Sequence, residues 1–267
     1  MNTLDKIIDK KRIEVSDRKE LYPTKLLERS IYFETKTVSL KEYLLREDKV
    51  GVISEIKRKS PSKGDINPHI SLEELSIGYM QAGASALSVL TDEEFFGGTN
   101  KDLETARKFN HCPILRKDFT VDEYQIIEAK SIGADAILLI AAALSSEEIL
   151  KFSKKAKGLG LEVLLEVHSK EELESSLDVA GSVDIIGVNN RNLKDFTVSV
   201  KTSEELVGLI PDKFVKISES GISDAQTIVD LKKKGFQGFL IGETFMKNSR
   251  PQDACAKLIR EVKGLLS

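Results

Sequence analysis

Eight short apolar runs recur from residue 51 onward, and each is followed by a Gly, Ser, Thr or Asn break and then by a segment with helical spacing. Alternation of this kind predicts parallel strands joined by right-handed crossovers. Eight such units favour a closed (β/α)8 barrel, the TIM-barrel architecture of the α/β class, over an open doubly wound sheet. The open sheet stays as the alternative, because a sequence pattern alone does not prove closure. The runs are GVISEIK (51–57), ALSVLT (86–91), PILRKDF (113–119), AILLIAA (136–142), EVLLEVH (162–168), IIGVNN (185–190), FVKISES (214–220) and GFLIGET (238–244).

The segments between these runs carry the boundary signals of helices. Most of them open with Ser or Asp as an N-cap, place Glu or Asp in the first turn and end on Gly. We therefore expect a helix after most strands of the barrel. The clearest examples are SLEELSIGYMQAG (71–83), VDEYQIIEAKSIG (121–133), SSEEILKFSKKAKGLG (145–160), SKEELESSLDVAG (169–181) and SDAQTIVDLKKKG (223–235).

The first part of the chain does not follow this alternation. The apolar residues that show helical spacing there are Leu4, Ile7, Ile8 and Val15. A second short helix is predicted in SLKEYLLRE, with Ser39 as its N-cap. We expect residues 1–48 to form an N-terminal helical extension packed on a catalytic barrel of residues 49–267. The Lys- and Arg-rich face of the first helix is interpreted as a solvated surface, with a nucleic-acid patch as the alternative, and both a monomer and a homodimer remain open.

Composition narrows the class of partner. The 40 Lys and Arg residues and the 43 Asp and Glu residues give a formal net charge of -3, which provides no overall attraction to nucleic acid or to an anionic membrane. We therefore expect a small-molecule partner. No apolar segment approaches the roughly 18 to 20 residues that span a bilayer, and the N-terminus lacks a signal-peptide pattern, which favours a cytoplasmic location. Cys112 and Cys255 belong to no CxxC or Cys/His cluster, so we predict reduced thiols and no structural metal. No spacing of His, Asp and Glu suits a metal or an organic cofactor, so we expect neither.

Polar residues cluster where the predicted strands end, which is where parallel barrels carry their active sites. Glu55 and Lys57 share one face of the first strand, because side-chain direction repeats every two residues. A single residue of this kind is more often an exposed rim residue or a satisfied ion pair. Five strands ending in such groups favour an active site, because buried charges are costly unless they pair with each other or with a ligand. The other residues are Lys117, Glu166, Asn189, Arg191, Glu219, Ser220 and Gly221.

Two Gly-containing strand ends indicate an anionic ligand. SESGIS (218–223) and IGETFM (241–246) are each expected to present backbone N–H groups just before a helix, where the helix dipole also favours an anion. Loops after strands seven and eight often hold phosphate in barrels of this type. Ordinary tight turns are the alternative for either loop alone. Ser60 and Lys63 of the first loop add a hydroxyl and a cation, so a phosphate site is the favoured interpretation.

In combination these motifs resemble the indole-3-glycerol phosphate synthase family. The resemblance covers nearly the whole chain, including the helical extension. Three positions depart from the family pattern: Thr99 and Thr244 stand where Ser is common, and Asn192 stands where Asp is common. Both Thr residues keep a hydroxyl, so these departures change little. The motifs are EIKRKSPSKG, FFGGT, LRKDF, LLEVH, GVNNRNL, SESGI and IGETFM.

The resemblance implies ring closure of 1-(2-carboxyphenylamino)-1-deoxyribulose 5-phosphate with loss of carbon dioxide and water. Lys117 would be the general acid that protonates the ketone oxygen as the ring carbon attacks. Lys57 would hold the substrate carboxylate, with an acid role in dehydration as the alternative. Glu166 would be the base of the later steps. His168 lies on the same face as Glu166, and we expect its ring to bond backbone groups.

The resemblance also implies roles for the remaining candidates. Glu55 and Glu219 would steer the lysines and bond sugar hydroxyls or the anilino nitrogen, with Ser220 in the same catalytic set. Asn189 would bond a substrate hydroxyl, and Arg191 would pair with a Glu or with substrate. The predicted phosphate ligands are Ser60, Gly221, Gly242, Glu243 and Thr244. The residues predicted to pack the aromatic ring are Phe96, Phe119 and Leu139.

Three rival functions remain at this stage. A lysine at a barrel strand end also suits a Schiff-base lyase acting on a phosphorylated sugar. A sugar-phosphate isomerase would need a Cys or Asp pair as acid and base, which these strand ends lack. A barrel that binds phosphate only, as a regulatory subunit, would not need the set Glu55, Lys57, Lys117 and Glu166.

Overall fold

The computed structural model describes residues 3–193 and 195–267, and its eight long strands close into one parallel barrel. Each strand pairs with the next along the chain, and the last pairs with the first. This closure confirms the (β/α)8 prediction and removes the open sheet. The strands are β1 (Val52–Ile56), β2 (Ala86–Leu90), β3 (Ile114–Lys117), β4 (Ala136–Ile140), β5 (Glu162–Val167), β6 (Ile185–Asn189), β7 (Val215–Glu219) and β8 (Gly238–Ile241).

Helices surround the barrel and precede it. Five helices after the strands have a Ser or Asp N-cap, as expected, and each cap accepts a hydrogen bond from a backbone N–H in the first turn: Ser71, Asp122, Ser145, Ser169 and Asp224. None of the helices in the described ranges has both the length and the apolar character that crossing a bilayer requires. The α-helices are α1 (Thr3–Leu21), α2 (Thr24–Leu27), α3 (Leu40–Leu44), α4 (Leu72–Gln81), α5 (Glu93–Phe96), α6 (Asn100–Phe109), α7 (Glu123–Ser131), α8 (Ser146–Gly158), α9 (Lys170–Leu177), α10 (Lys201–Leu206), α11 (Ala225–Lys233), α12 (Glu243–Met246) and α13 (Pro251–Leu266). Short 3-10 helices span Ala141–Ala143, Ala180–Ser182 and Val207–Leu209.

The apolar core has two layers, one inside the barrel and one between the barrel and its helices. Strand β4 shows how one strand supplies both, because successive side chains point to opposite faces. Leu138 and Ile140 belong to the inner cluster, whereas Ile137 and Leu139 belong to the outer one. Both faces of every barrel strand are therefore buried, which explains why the runs are continuously apolar.

Helix α3 closes the amino-terminal end of the barrel. Its side chains Leu40 and Leu44 are buried in the inner cluster. The helix begins as predicted, with Ser39 Oγ accepting the N–H of Glu42 at 3.0 Å. Ser39 Oγ also donates to Glu162 Oε1 at 2.5 Å, at the start of β5. This end of the barrel is thus plugged by the extension, and the opposite end stays open to a ligand.

Helix α1 is fixed to the carboxyl-terminal end of the barrel by buried charges. Lys11 has a side chain only 1% exposed, and its Nζ lies 2.9 Å from Asp92 Oδ2 and 3.1 Å from Asp118 Oδ1. Burial lowers the pKa of Lys11, but attraction by Asp118, Asp92 and Glu14 outweighs it and leaves that pKa raised. The expectation of a solvated basic face is therefore wrong at Lys11, because its partners come from distant loops that local spacing does not reveal. The division of the chain at residue 48 stays a prediction.

A substitution of Lys11 by Ala tests this anchor. It leaves the buried Asp92 without its cation and leaves Asp118 with Arg116 alone, 3.1 Å away, and we expect the free energy of unfolding to fall by about 3 to 5 kcal/mol. Urea-induced unfolding followed by circular dichroism measures the change. The matched control is Lys10→Ala, since that side chain is 59% exposed and lies 3.8 Å from Glu94, and it should change the free energy by less than about 0.5 kcal/mol. Equal effects of the two substitutions would contradict the anchor.

Candidate active site

A cavity opens at the carboxyl ends of the strands, and it brings together all but one of the sequence-predicted site residues. They come from strand ends and loops far apart in the chain, which only the closed barrel makes neighbours. The lining residues among them are Glu55, Lys57, Ser60, Phe96, Lys117, Phe119, Glu166, Asn189, Arg191, Glu219, Ser220, Gly221, Gly242, Glu243 and Thr244.

Lys117, at the end of β3, holds the central charge of this cavity. Its Nζ donates to Glu166 Oε2 at 2.8 Å and to Glu219 Oε2 at 2.5 Å. Burial lowers the pKa of Lys117, but attraction by Glu166, Glu219 and Glu55 outweighs it and leaves that pKa raised. Lys117 is therefore an ammonium at neutral pH, able to donate a proton or to hold an anion.

The two carboxylates bonded to Lys117 are in different states. Burial raises the pKa of Glu166, but Lys117 and His168 outweigh it and hold that pKa well below its usual range. Burial also raises the pKa of Glu219, attraction by Lys117 only partly opposes it, and repulsion by Glu166 adds to it, bringing that pKa to about 8. The surroundings thus favour the ionised form of Glu166 and the protonated form of Glu219, a difference that is common for paired acids with separate roles.

Two glycines on neighbouring strands make room for the buried carboxylates. A Cβ at Gly187 on β6 would lie 2.4 Å from Glu219 Oε1. A Cβ at Gly242, just after β8, would lie 2.3 Å from Glu55 Oε1. Glu55 in turn accepts Lys57 Nζ at 2.6 Å through the same oxygen. Any larger side chain at either glycine would push a carboxylate away from its lysine.

The turn after β7 adopts an unusual backbone conformation. Ser220 and Gly221 have φ of +67° and +75°, a region that is costly for a residue with a side chain. Asn190 supports the turn by donating through Nδ2 to the carbonyl of Ser220 at 3.0 Å. Strain of this kind persists only where the surrounding structure imposes it, and it often marks a functional position.

The loops after β7 and β8 are joined at the predicted phosphate site. Thr244 Oγ1 donates to the carbonyl of Ile222 at 2.8 Å, and α12 begins at Glu243. The first N–H groups of a helix have no partner inside the helix and point outward. Two cations flank this end of the cavity, because Lys63 Nζ and Arg191 Nη2 each lie 3.6 Å from a carboxylate oxygen of Glu243. The arrangement combines N–H donors with positive charge, as anion sites require.

An apolar wall lies on another side of the cavity. The rings of Phe96 and Phe119 have centroids 5.8 Å apart and planes inclined by 39°. Leu4 and Ile7 of α1 also line the cavity, a contribution that the sequence did not reveal, since helical spacing indicates a buried face but not what covers it. This wall suits an aromatic ring.

The prediction that Leu139 packs the substrate ring was wrong. Leu139 is completely buried between the barrel and its helices, and its neighbours Leu138 and Ile140 line the cavity instead. The error is one residue along β4, where every position is apolar and the alternation of faces leaves no trace in the sequence.

The expectation that the His168 ring bonds backbone was also wrong. Its Nδ1 lies 3.2 Å from Glu172 Oε2 and its Nε2 lies 3.3 Å from Glu166 Oε1. Burial lowers the pKa of His168, but hydrogen bonds and attraction from Glu166 and Glu172 raise it to about 10.

In residues 3–193 and 195–267, no group of three or more His, Cys, Asp or Glu side chains could hold a metal ion.

Comparison with known proteins identifies the family of this site. The family model for indole-3-glycerol phosphate synthase matches residues 4–258. The chain belongs to the indole-3-glycerol phosphate synthase family. An indole-3-glycerol phosphate synthase from Bacteroides thetaiotaomicron is 47% identical over 260 residues, which are 97% of this chain and 98% of the relative. One from Caldanaerobacter subterraneus subsp. tengcongensis is 41% identical over 262 residues, 98% of this chain and 99% of the relative.

Solved structures resemble the barrel at lower identity. A chain of the tryptophan synthase complex from Pyrococcus furiosus has a TM-score of 0.60 at 14% identity, covering 81% of this chain and 99% of that chain. Thiamine phosphate pyrophosphorylase from the same organism has a TM-score of 0.60 at 16% identity, covering 82% and 98%. At such identities the likeness shows the fold alone.

Gly242→Ala tests the clearance around Glu55. The new methyl group would displace the carboxylate from Lys57, and we expect kcat/KM for the ring closure of the indole-3-glycerol phosphate synthase family to fall on the order of 100-fold. The assay follows indole fluorescence with purified protein. Gly158→Ala is the control, because its Cβ would meet no atom within 4 Å, and it should keep wild-type activity. Wild-type activity in Gly242→Ala would show that the close contact is unimportant.

Proposed function

We propose that this protein catalyses the decarboxylating and dehydrating ring closure of 1-(2-carboxyphenylamino)-1-deoxyribulose 5-phosphate to indole-3-glycerol phosphate, a step of tryptophan biosynthesis. The observation that carries the proposal is the buried ammonium of Lys117, held between Glu166 and Glu219 in a cavity that also has an apolar wall. The family membership supports the same reaction. A small phosphorylated substrate fits both.

The parts of the substrate match the parts of the cavity. Its phosphate would lie at the loops after β7 and β8, and its aromatic ring would lie against Phe96 and Phe119. The ketone would then face Lys117, and the benzoate carboxylate would face Lys57. Both reacting centres belong to one flexible molecule, so the main task of these contacts is to fold it upon itself and hold the two carbons together.

Ring closure would use Lys117 as the general acid. The ring carbon that bears the carboxylate attacks the ketone carbon, and negative charge develops on the ketone oxygen. The ammonium of Lys117 donates a proton to that oxygen, which becomes a hydroxyl group. Carbon dioxide then leaves, and the electron pair of the broken bond restores the aromatic ring.

Dehydration would need one acid and one base. The hydroxyl leaves as water after taking a proton, and the last double bond of the five-membered ring forms when a proton is lost to the base. Glu166 suits the base because its pKa is held well below its usual range and it is ionised at neutral pH. Glu219, with a pKa of about 8, holds its proton and would serve as a hydrogen-bond donor to the substrate. The alternative role of Lys57, besides binding the substrate carboxylate, is to be the acid of this dehydration.

The remaining candidates would bind and orient substrate. Asn189 would bond a hydroxyl, and Arg191 would neutralise negative charge near Glu243. Ser220 would face the reacting part of the substrate from the strained turn after β7. The proposal also includes a cytoplasmic location, a monomeric or homodimeric state and a reaction without a cofactor. These are the properties expected of an enzyme that acts on a small molecule. The proposed phosphate ligands are Ser60, Gly221, Gly242, Glu243 and Thr244.

The charge of Lys117 makes a Schiff-base lyase a weaker candidate function than the ring closure. A lysine that attacks a carbonyl must first lose its proton. The carboxylates around Lys117 raise its pKa and oppose that loss. Borohydride treatment with a keto-sugar phosphate would trap a covalent adduct if the lyase were correct, and we expect none.

Lys117→Ala tests the acid. We expect kcat to fall by about 100-fold to 10,000-fold, because the variant lacks the group that would protonate the ketone oxygen. Indole fluorescence follows turnover, and circular dichroism checks the fold. Turnover that survives would move the acid to Lys57, and a wild-type protein without turnover would refute the function itself.

Glu219 provides a test by pH. Above its pKa of about 8 it loses its proton, and the added negative charge strengthens the hold of Lys117 on its own proton. Lys117 then becomes a poorer acid, so kcat should decline as the pH rises through about 8. Glu219→Gln keeps a neutral hydrogen-bonding group at all pH values, and we expect this decline to disappear from its pH profile. A decline of the same midpoint in wild type and variant would assign it to another group.

A further inference from the structure

His168 is a buried ionisable group that the reaction above does not use. It follows the last residue of β5 and points to the same side as Glu166. Its side chain is 7% exposed, and it does not line the cavity. Its two ring nitrogens face two different carboxylates, Glu172 on α9 and Glu166 on β5.

Glu172 sets the orientation of the ring. Its Oε2 accepts the backbone N–H of His168 at 2.7 Å and also lies 3.2 Å from Nδ1 of the same residue. The N–H of Glu172 donates to Ser169 Oγ at 3.2 Å, which fixes Glu172 in the first turn of α9. An oxygen that already accepts a backbone N–H is an acceptor toward the ring as well. Nδ1 therefore carries a hydrogen.

The second nitrogen then decides the charge. A neutral imidazole with hydrogen on Nδ1 would turn the lone pair of Nε2 toward Glu166 Oε1, 3.3 Å away. Two lone pairs at that distance repel, so a proton must belong to one of the two groups. The other oxygen of Glu166 accepts Lys117 Nζ at 2.8 Å, which favours the ionised carboxylate. The proton thus belongs to His168, in agreement with its raised pKa.

Other elements around the ring bring no competing charge. The strands beside β5 place Ile140 and Gly187 next to Glu166. The 3-10 helix Ala141–Ala143, which precedes α8, consists of alanines. On α9, Lys170 is exposed and pairs with Glu174 at 3.5 Å. Within the described residues, the charged groups that face His168 are therefore Glu166 and Glu172, with Lys117 beyond Glu166.

We propose that His168 is a positioning residue for Glu166: its imidazolium, held by Glu172, forms an ion pair with one oxygen of the Glu166 carboxylate while Lys117 donates a hydrogen bond to the other, so that the base stays ionised and correctly oriented. The kinetic consequence rests on the proposed function, in which Glu166 is the base. The charge state of His168 does not, because it follows from the carboxylates alone.

The first test measures that charge state directly. Protein labelled with 15N in its histidines is titrated by NMR, and His168→Gln assigns the signal. We expect an imidazolium from pH 6 to 8, with titration only near the pKa of about 10. Glu172→Gln should lower that pKa toward the ordinary value. A neutral His168 ring at pH 7 would overturn the proposal, whether or not the protein turns over substrate.

The second test measures the effect on the base. In His168→Gln one cation beside Glu166 is lost, so the acidic limb of the kcat profile should move up by about 1 to 3 pH units. We expect kcat to fall on the order of tenfold to a hundredfold, and KM to stay within about twofold because the ring does not line the cavity. His111→Gln, at an exposed loop position, is the matched control and should leave the profile unchanged.

The outcomes of the two tests are separable. An unchanged profile and kcat in a folded His168→Gln protein would overturn the positioning role. A loss confined to thermal stability, with the same acidic limb, would also overturn it in favour of a purely structural role. Absence of turnover in the wild-type protein would refute the proposed function, and the NMR titration would still decide the charge of His168.

Discussion

The positive charge of Lys117 is the constraint on which the rest of the site depends. A buried ammonium is stable only if opposite charges replace the water it has lost. Glu166 supplies that charge, and Glu219 accepts a hydrogen bond from the same ammonium. Glu219 needs the open space at Gly187 and a proton, and Glu166 needs a second cation, which His168 supplies. The ionisable groups at the mouth of the barrel therefore depend on one another for their charge states.

The same strand connects this row to the N-terminal extension. In the sequence Arg116-Lys117-Asp118, the middle residue bonds Glu166 and Glu219 in the cavity, and its two neighbours pair with each other at 3.1 Å. Arg116 Nη2 lies 2.6 Å from Glu128 of α7, and Asp118 lies 3.1 Å from Lys11 of α1. The end of β3 is therefore fixed from both sides. Because α1 also lines the cavity, the contacts that stabilise the extension also hold the end of β3, and with it Lys117, in place.

Periodicity predicted the fold and the charged strand ends, whereas the family resemblance supplied the remaining site residues. Eight apolar runs gave the strands, and period-two alternation placed Lys117 and Glu166 on the inner face. The predictions were wrong where apolar and polar residues do not alternate, or where the partners of a residue are distant in the sequence. In β4 every residue is apolar, so Leu139 could not be told from Leu138. Lys11 and His168 look like ordinary surface and loop residues, because their partners are set by tertiary packing.

The charge balance of the proposed reaction reconciles the two roles considered for Lys57. Before ring closure the substrate carboxylate is present, and an ammonium that binds it is held as a counter-ion and is a poor acid. Departure of carbon dioxide removes that anion while Glu55 remains 2.6 Å from Lys57 Nζ. One fewer negative charge then faces the ammonium. Dehydration, which needs an acid, comes after this loss. In the proposed reaction, carboxylate binding and proton donation by Lys57 would therefore be successive roles, separated by decarboxylation itself.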